Sequence, residues 1–261
     1  MMAGAGGLGL IAVLVVMLLG GGSGGGLDLE GLMQGLEAQQ PATTPQALTP
    51  EEEAEGEFIG AVLGTTETYW GEEFAASGET YPAPRLVLFT GSTSSGCGGA
   101  SAQIGPHYCP LDQTIYVDLG FFTELQARFG AGGGDFAEAY VIAHEVGHHV
   151  QNVTGTMERV RNLQSQNPAA RNALSVQMEL QADCYAGNWA NAVLERDVLQ
   201  PGDIEEGLDA AAAVGDDRIQ ERATGRVDPE SWTHGSSEQR VRWFTVGFES
   251  GDPQACDTFN A

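Results

Sequence analysis

Residues 140–149 read Tyr-Val-Ile-Ala-His-Glu-Val-Gly-His-His. On a helix, side chains four apart lie one turn above each other, so His144 and His148 aim two imidazoles at a single point. Zinc in a catalytic site takes three protein ligands and keeps a fourth position open, and two histidines at this spacing supply two of the three. Glu145 is adjacent but rotated, which puts a carboxylate beside that point, where it can take a proton from water. Val141, Ile142, Val146 and Val150 form an apolar helix face that buries this turn, and Gly147 lets another segment approach closely. The helix reads from Asp135 through Val153 and is ended by Gly155. His149 faces away from the pair and reads as a histidine behind the site or on the surface.

A third ligand has to come from elsewhere. His107, His149, His234 and the downstream carboxylates are the candidates. The extended pattern that ends in a third histidine fails, because Gln151 and Thr154 stand three and six residues beyond His148. The best downstream segment is Gln177-Met-Glu179-Leu-Gln-Ala-Asp183-Cys184-Tyr-Ala-Gly, where Glu179 and Asp183 lie one turn apart on an otherwise small and apolar helix. Both carboxylates can face one buried site: Glu179 would ligate, and Asp183 would accept a hydrogen bond from a ligating imidazole and fix its tautomer. The bland alternative is a solvated acidic helix face, which the apolar flanks argue against.

The whole chain has 261 residues, enough for one enzyme domain once its apolar start is set aside. All 11 basic residues are Arg, Asp and Glu total 36, and the formal charge is −25, so no nucleic-acid partner is expected. The cysteines are Cys97, Cys109, Cys184 and Cys256, with no Cys-x-x-Cys pair. A zinc ribbon or thioredoxin-like site is therefore not indicated, and two disulfides are the economical reading, which requires an oxidising compartment.

From Leu8 to Leu19 the chain is apolar, within an uncharged stretch from Ala3 to Gly22 that just spans a bilayer core. A signal peptide is the rival, but no basic leader, Ala-x-Ala site or lipid-accepting Cys is present; a buried core helix is a weaker third reading. The following residues are rich in Gly, Pro, Gln and Thr and read as a flexible tether. The expected organisation is thus a transmembrane anchor over 1–22, a linker over 23–50 and an enzyme domain over 51–261. Pro50 followed by three Glu residues marks a helix start, and Phe58, Ile59, Val62, Leu63, Thr66 and Tyr69/Trp70 recur at helical spacing. Strands are expected at Arg85 to Thr90 and Gln113 to Leu119, with a Gly- and Ser-rich loop from Gly91 to Pro110. Helices are expected over Phe121 to Phe129, Met157 to Ser165, Pro168 to Glu195, Asp203 to Val214 and Ser236 to Glu249.

The blocks GPHYCPLDQTIYVDLGFF, YVIAHEVGHHVQ, ELQADCYAGNWA and THGSSEQRVRWFTVGFESGDPQACDTF together resemble the bacterial neutral zinc metallopeptidases of the YpfJ type. That family lies within the wider group of His-Glu-x-x-His peptidases whose third ligand is a Glu. The resemblance covers most of the chain from about Phe58 onward, plus an apolar N-terminal segment before a linker. Family members begin with a longer, Arg-containing polar segment that is missing here. The resemblance implies one zinc per chain held by His144, His148 and Glu179, and a membrane-tethered peptidase domain. The expected fold class is α+β: a mostly helical zincin-like domain with a small antiparallel sheet, preceded by an N-terminal transmembrane helix. Related peptidases carry a late histidine that hydrogen-bonds the oxyanion, and His234 is the matching position, with an ordinary helix-entry histidine as the alternative. Arg240 and Arg242 would support it or pair with the acidic surface. Loop closure and export, together with the resemblance, suggest disulfides Cys97 to Cys109 and Cys184 to Cys256.

The expected function is zinc-dependent hydrolysis of a peptide or protein substrate at the cell membrane, by a single-pass protein whose catalytic domain faces outside the cytoplasm. In zincins a peptide commonly lies along an edge strand, and Gln113 to Leu119 is the candidate. A non-catalytic, zinc-stabilised, membrane-tethered binding domain is the competing reading, but a purely structural site has no use for Glu145. A phosphoester hydrolase would favour a Gly-rich phosphate cradle or a basic pocket, and neither is present.

Overall fold

The computed structural model describes residues 48–101, 104–122 and 134–260. The expected anchor, the linker up to residue 47 and the helix expected at Phe121 to Phe129 from residue 123 onward lie outside the described residues. No helix among the described residues is long and apolar enough to cross a membrane.

Helix α1 spans Pro50–Ala76. Thr49 caps it: its hydroxyl accepts from the Glu52 amide at 3.2 Å, and the Glu52 carboxylate accepts from the Thr49 amide at 2.7 Å. Glu51, Glu52 and Glu53 sit on the positive end of the helix dipole. Ile59, Val62, Leu63, Thr66, Tyr69 and Trp70 are buried on one face, as their spacing predicts.

The strands are β1 (Arg85–Phe89), β2 (Ser92–Ser95), β3 (Gly98–Ser101), β4 (His107–Cys109) and β5 (Thr114–Asp118). The three-stranded sheet has the order β1-β5-β4, and it is mixed rather than antiparallel: β1 runs parallel to β5, Arg85 opposite Thr114, while β4 runs antiparallel to β5. The long connection from 90 to 113 gives the chain room to return and start β5 in the same direction as β1, which a short hairpin could not do. The segment read as a loop carries the β2–β3 hairpin and β4, tied together by the Cys97–Cys109 disulfide. Strand β5 is buried at all five positions and lies between two partners, so it is not an edge. Strand β4 takes that place.

The helical layer comprises α2 (Asp135–Val153), α3 (Thr156–Gln166), α4 (Arg171–Glu195), α5 (Asp203–Ala213), α6 (Asp216–Thr224) and α7 (Ser237–Ser250). Helix α6 has no counterpart in the sequence reading, because Ile219 is its one large apolar residue and it shows no apolar stripe. Two close approaches set the site. A Cβ on Gly147 of α2 would lie 3.0 Å from the backbone of Ala182 in α4, so the glycine lets α4 press its Glu179 and Asp183 against α2. Helices α4 and α7 cross through Gly187 and Gly247, where a Cβ on either would collide with the other helix's backbone. This crossing carries Arg240 inward. The Cys184–Cys256 disulfide then pins the C-terminal tail to α4.

Candidate active site

Helix α2 presents His144 and His148 with their rings 4.8 Å apart at 85°. Glu179 of α4 reaches both: its Oε2 lies 3.2 Å from His144 Nε2 and its Oε1 3.4 Å from His148 Nε2. One atom from each of the three residues falls within 4.8 Å of the others, as the ligands of a single ion must. Two imidazoles and one carboxylate are the donor set of a catalytic zinc centre, so the residues present fit the metal. His107, His149 and His234 do not join this group.

Asp183 has no exposed surface and accepts from His144 Nδ1 at 2.8 Å, as the sequence spacing anticipates. Sequence reasoning missed its other partners. Arg240 of α7 donates to both carboxylate oxygens, Nε to Oδ2 and Nη2 to Oδ1, each at 2.8 Å. The Tyr140 hydroxyl donates to Oδ1 at 2.5 Å. Arg240 is therefore buried within the site rather than supporting His234 or pairing with the acidic surface. Burial alone would raise the Asp183 carboxyl, but Arg240 and His144 outweigh it and hold it down at about 2. Burial lowers the His144 imidazole, yet Asp183 and Glu179 overcome that and carry it up to about 9 in the metal-free protein.

This pair yields a prediction. Arg240→Met should destabilise the protein by about 3–5 kcal/mol, because it leaves the Asp183 carboxylate buried without its cation. Asp183→Asn combined with Arg240→Met removes both charges, and its urea midpoint should lie above that of the single variant. A single variant as stable as the double would refute the pairing. Because the Asp183 carboxyl is depressed, its contribution is present above the ordinary Asp range and is lost as pH falls through about 2.

Glu145 is 7% exposed, and burial raises its carboxyl above the usual range, against the pull of His148 and His144. It lines a cleft of about 560 Å³ shared with the metal group, His107 and His234. His107 stands on β4, stacked on Tyr116 at 5.4 Å, with its Nδ1 donating to the Gly105 carbonyl at 3.2 Å. His234 projects from the loop before α7 with its side chain half exposed. Its Nδ1 lies 3.1 Å from Asp216 Oδ1, and Asp216 Oδ2 accepts from the amides of Thr233, His234 and Gly235 at 2.7–3.0 Å. The Asp216 hydrogen bond raises the His234 imidazole above its ordinary value. Asp216, at the start of α6, is a second residue that sequence reasoning missed; the one signal was an Asp pair directly after Gly215.

Of the two places read for His149, behind the site or on the surface, the structure excludes the surface. It is fully buried and touches neither the metal group nor solvent. Its Nε2 donates to the Pro82 carbonyl, and its Nδ1 accepts from the Tyr108 hydroxyl at 3.0 Å. Turned away from His144 and His148 on the helix, it ties α2 to β4 and so sets the distance from the edge strand to the metal helix.

Residues 1–259 match the family described as putative neutral zinc metallopeptidase. A protein of Escherichia coli K12, YpfJ, is 48% identical over 252 residues, which cover 96% of this chain and 86% of that relative. Proteins of Mycobacterium tuberculosis H37Rv and Mycobacterium bovis are each 50% identical over 191 residues, 69% of this chain and 64% of the relative. No solved structure matches. Since the match runs over nearly the whole length and not over the histidine motif alone, the chain belongs to the neutral zinc metallopeptidase family.

Proposed function

We propose that the chain hydrolyses peptide bonds, with one zinc held by His144, His148 and Glu179 and with Glu145 as the general base. The observation that carries this reading is the convergence of those three donors beside a buried carboxylate in one open cleft. Zinc bound there supplies a Lewis acid that acidifies water and polarises a carbonyl. Glu145 accepts the proton of the attacking water and then delivers it to the leaving amine. His234, held by Asp216 and lining the same cleft, donates to the carbonyl oxygen as negative charge develops there. A peptide pairs with the free edge of β4, whose His107 and Tyr108 line the cleft; this replaces the buried β5 as the substrate strand.

A purely structural zinc centre would close its fourth position with Cys or His. Nothing of that kind joins the group among the described residues, which favours catalysis over a tethered binding domain. We further propose a membrane-anchored protein whose catalytic domain faces outside the cytoplasm. The apolar run from Leu8 to Leu19 and two disulfides support this, since disulfides persist in oxidising compartments.

The test uses the full chain in detergent. Elemental analysis should give about one zinc per chain. Cleavage of a peptide library should stop on chelation and return with added zinc. Cleavage that survives complete removal of the metal would overturn the reading.

A further inference from the structure

Gln151 marks the point where the three-histidine pattern fails, and the structure gives it different work. It lies one turn after His148 on α2, is fully buried, and its Oε1 is 2.9 Å from His148 Nδ1. Its Nε2 donates to the Met178 carbonyl at 2.7 Å and to Gln181 Oε1 at 3.2 Å. Gln181, also buried, donates from Nε2 to the Cys256 carbonyl at 2.9 Å. Cys256 is the residue whose disulfide to Cys184 anchors the C-terminal tail on α4.

The direction of this chain of hydrogen bonds is fixed at its ends. A backbone carbonyl can only accept. The Cys256 carbonyl therefore holds the Gln181 amide nitrogen toward the tail and leaves its oxygen facing Gln151. The Met178 carbonyl and that oxygen both demand the Gln151 amide nitrogen, so Gln151 Oε1 is left to face His148. An amide oxygen only accepts, so His148 must donate from Nδ1 and carry its lone pair on Nε2, the atom turned toward Glu179.

We infer that Gln151 and Gln181 are positioning residues for the metal: a neutral relay from the disulfide-pinned tail fixes the tautomer and ring orientation of His148. The inference rests on the proposed zinc centre. It also gives the two ligating imidazoles supports of matched charge. Beneath His144 the Asp183 carboxylate is offset by Arg240, and beneath His148 the acceptor is an uncharged amide. Neither support adds net negative charge, so the electron-withdrawing power of a bound cation is preserved.

The experiment measures zinc affinity of the full chain by competition with a chromophoric chelator, with thermal unfolding of the metal-free protein as a check on folding. Gln151→Leu should weaken zinc binding by about 10–100-fold. Gln151→Glu keeps an acceptor for His148 Nδ1 but gives up the donor to the Met178 carbonyl and Gln181, and should lose clearly less affinity than Gln151→Leu, about tenfold or less. Gln181→Leu leaves the Gln151 bond to the Met178 carbonyl and should cost about tenfold or less, but measurably. If Gln151→Leu does not fold, Gln181→Leu decides, and wild-type affinity in that variant overturns the relay. Equal losses in Gln151→Leu and Gln151→Glu would also overturn it, since the residue would then act only by filling space. A wild-type chain that binds no zinc, or a His148→Ala variant that binds it as well as wild type, would instead refute the zinc centre itself.

Discussion

Glu145→Gln should leave zinc content and fold unchanged and lower turnover by on the order of 10³-fold or more. The amide has nearly the shape of the carboxylate but cannot take a proton, so the substitution removes the base and little else. Glu145 sits on α2 one residue from His144 and faces the cleft, yet it is not one of the three convergent donors. Metal content therefore separates two roles. A variant that loses both zinc and activity would make Glu145 a ligand, and a fully active one would remove it from the mechanism. Burial already raises the Glu145 carboxyl, which moves it toward the range in which a base works near neutral pH. The neutral glutamine also escapes the desolvation cost of a buried charge, so the variant should melt no lower than the parent.

The parts of this arrangement that follow a local rule are legible in the sequence. His144, Glu145 and His148 follow from helical periodicity, and Glu179 with Asp183 follow from the same periodicity inside an apolar helix. The capped start of α1 and its buried face follow from Pro50, the acidic first turn and the apolar spacing. Both cysteine pairings agree with the structure. What escaped depends on crossings between elements distant in sequence. Arg240 looks like any charge on an amphipathic helix until the Gly187–Gly247 contact drives α7 against α4 and brings its guanidinium onto Asp183. His149 reads from α2 alone as lying behind the site or on the surface, and it is buried because Tyr81, Tyr108 and Pro82 close over it. Strand order was equally hidden: Gln113 to Leu119 is the edge-strand candidate in the sequence, whereas β5 has a neighbour on each side and is buried at every position. Gln151 was visible only as the residue that broke a longer motif.

Glu179→Ala should lower zinc affinity by several orders of magnitude, whereas His234→Ala should keep zinc and lose mainly turnover. The geometry behind this separation is specific. Glu179 reaches both imidazoles, one through each carboxylate oxygen, and stands partly buried on the helix that Gly147 admits against α2. Removing it leaves two neutral histidines, too few for a stable catalytic centre, and Asp183 cannot replace it, because it is committed to Arg240, Tyr140 and His144 Nδ1. His234 has its Nδ1 engaged by Asp216, which fixes the ring from behind. The role proposed for it is at the carbonyl oxygen, so its loss should appear in kcat, by about 10²–10³-fold, with zinc stoichiometry intact. Asp216→Asn weakens the hold on that ring and should lower kcat in the same direction by a smaller factor. Metal that leaves with His234 and stays without Glu179 would mean a centre of three histidines, and the roles assigned to both residues would be exchanged.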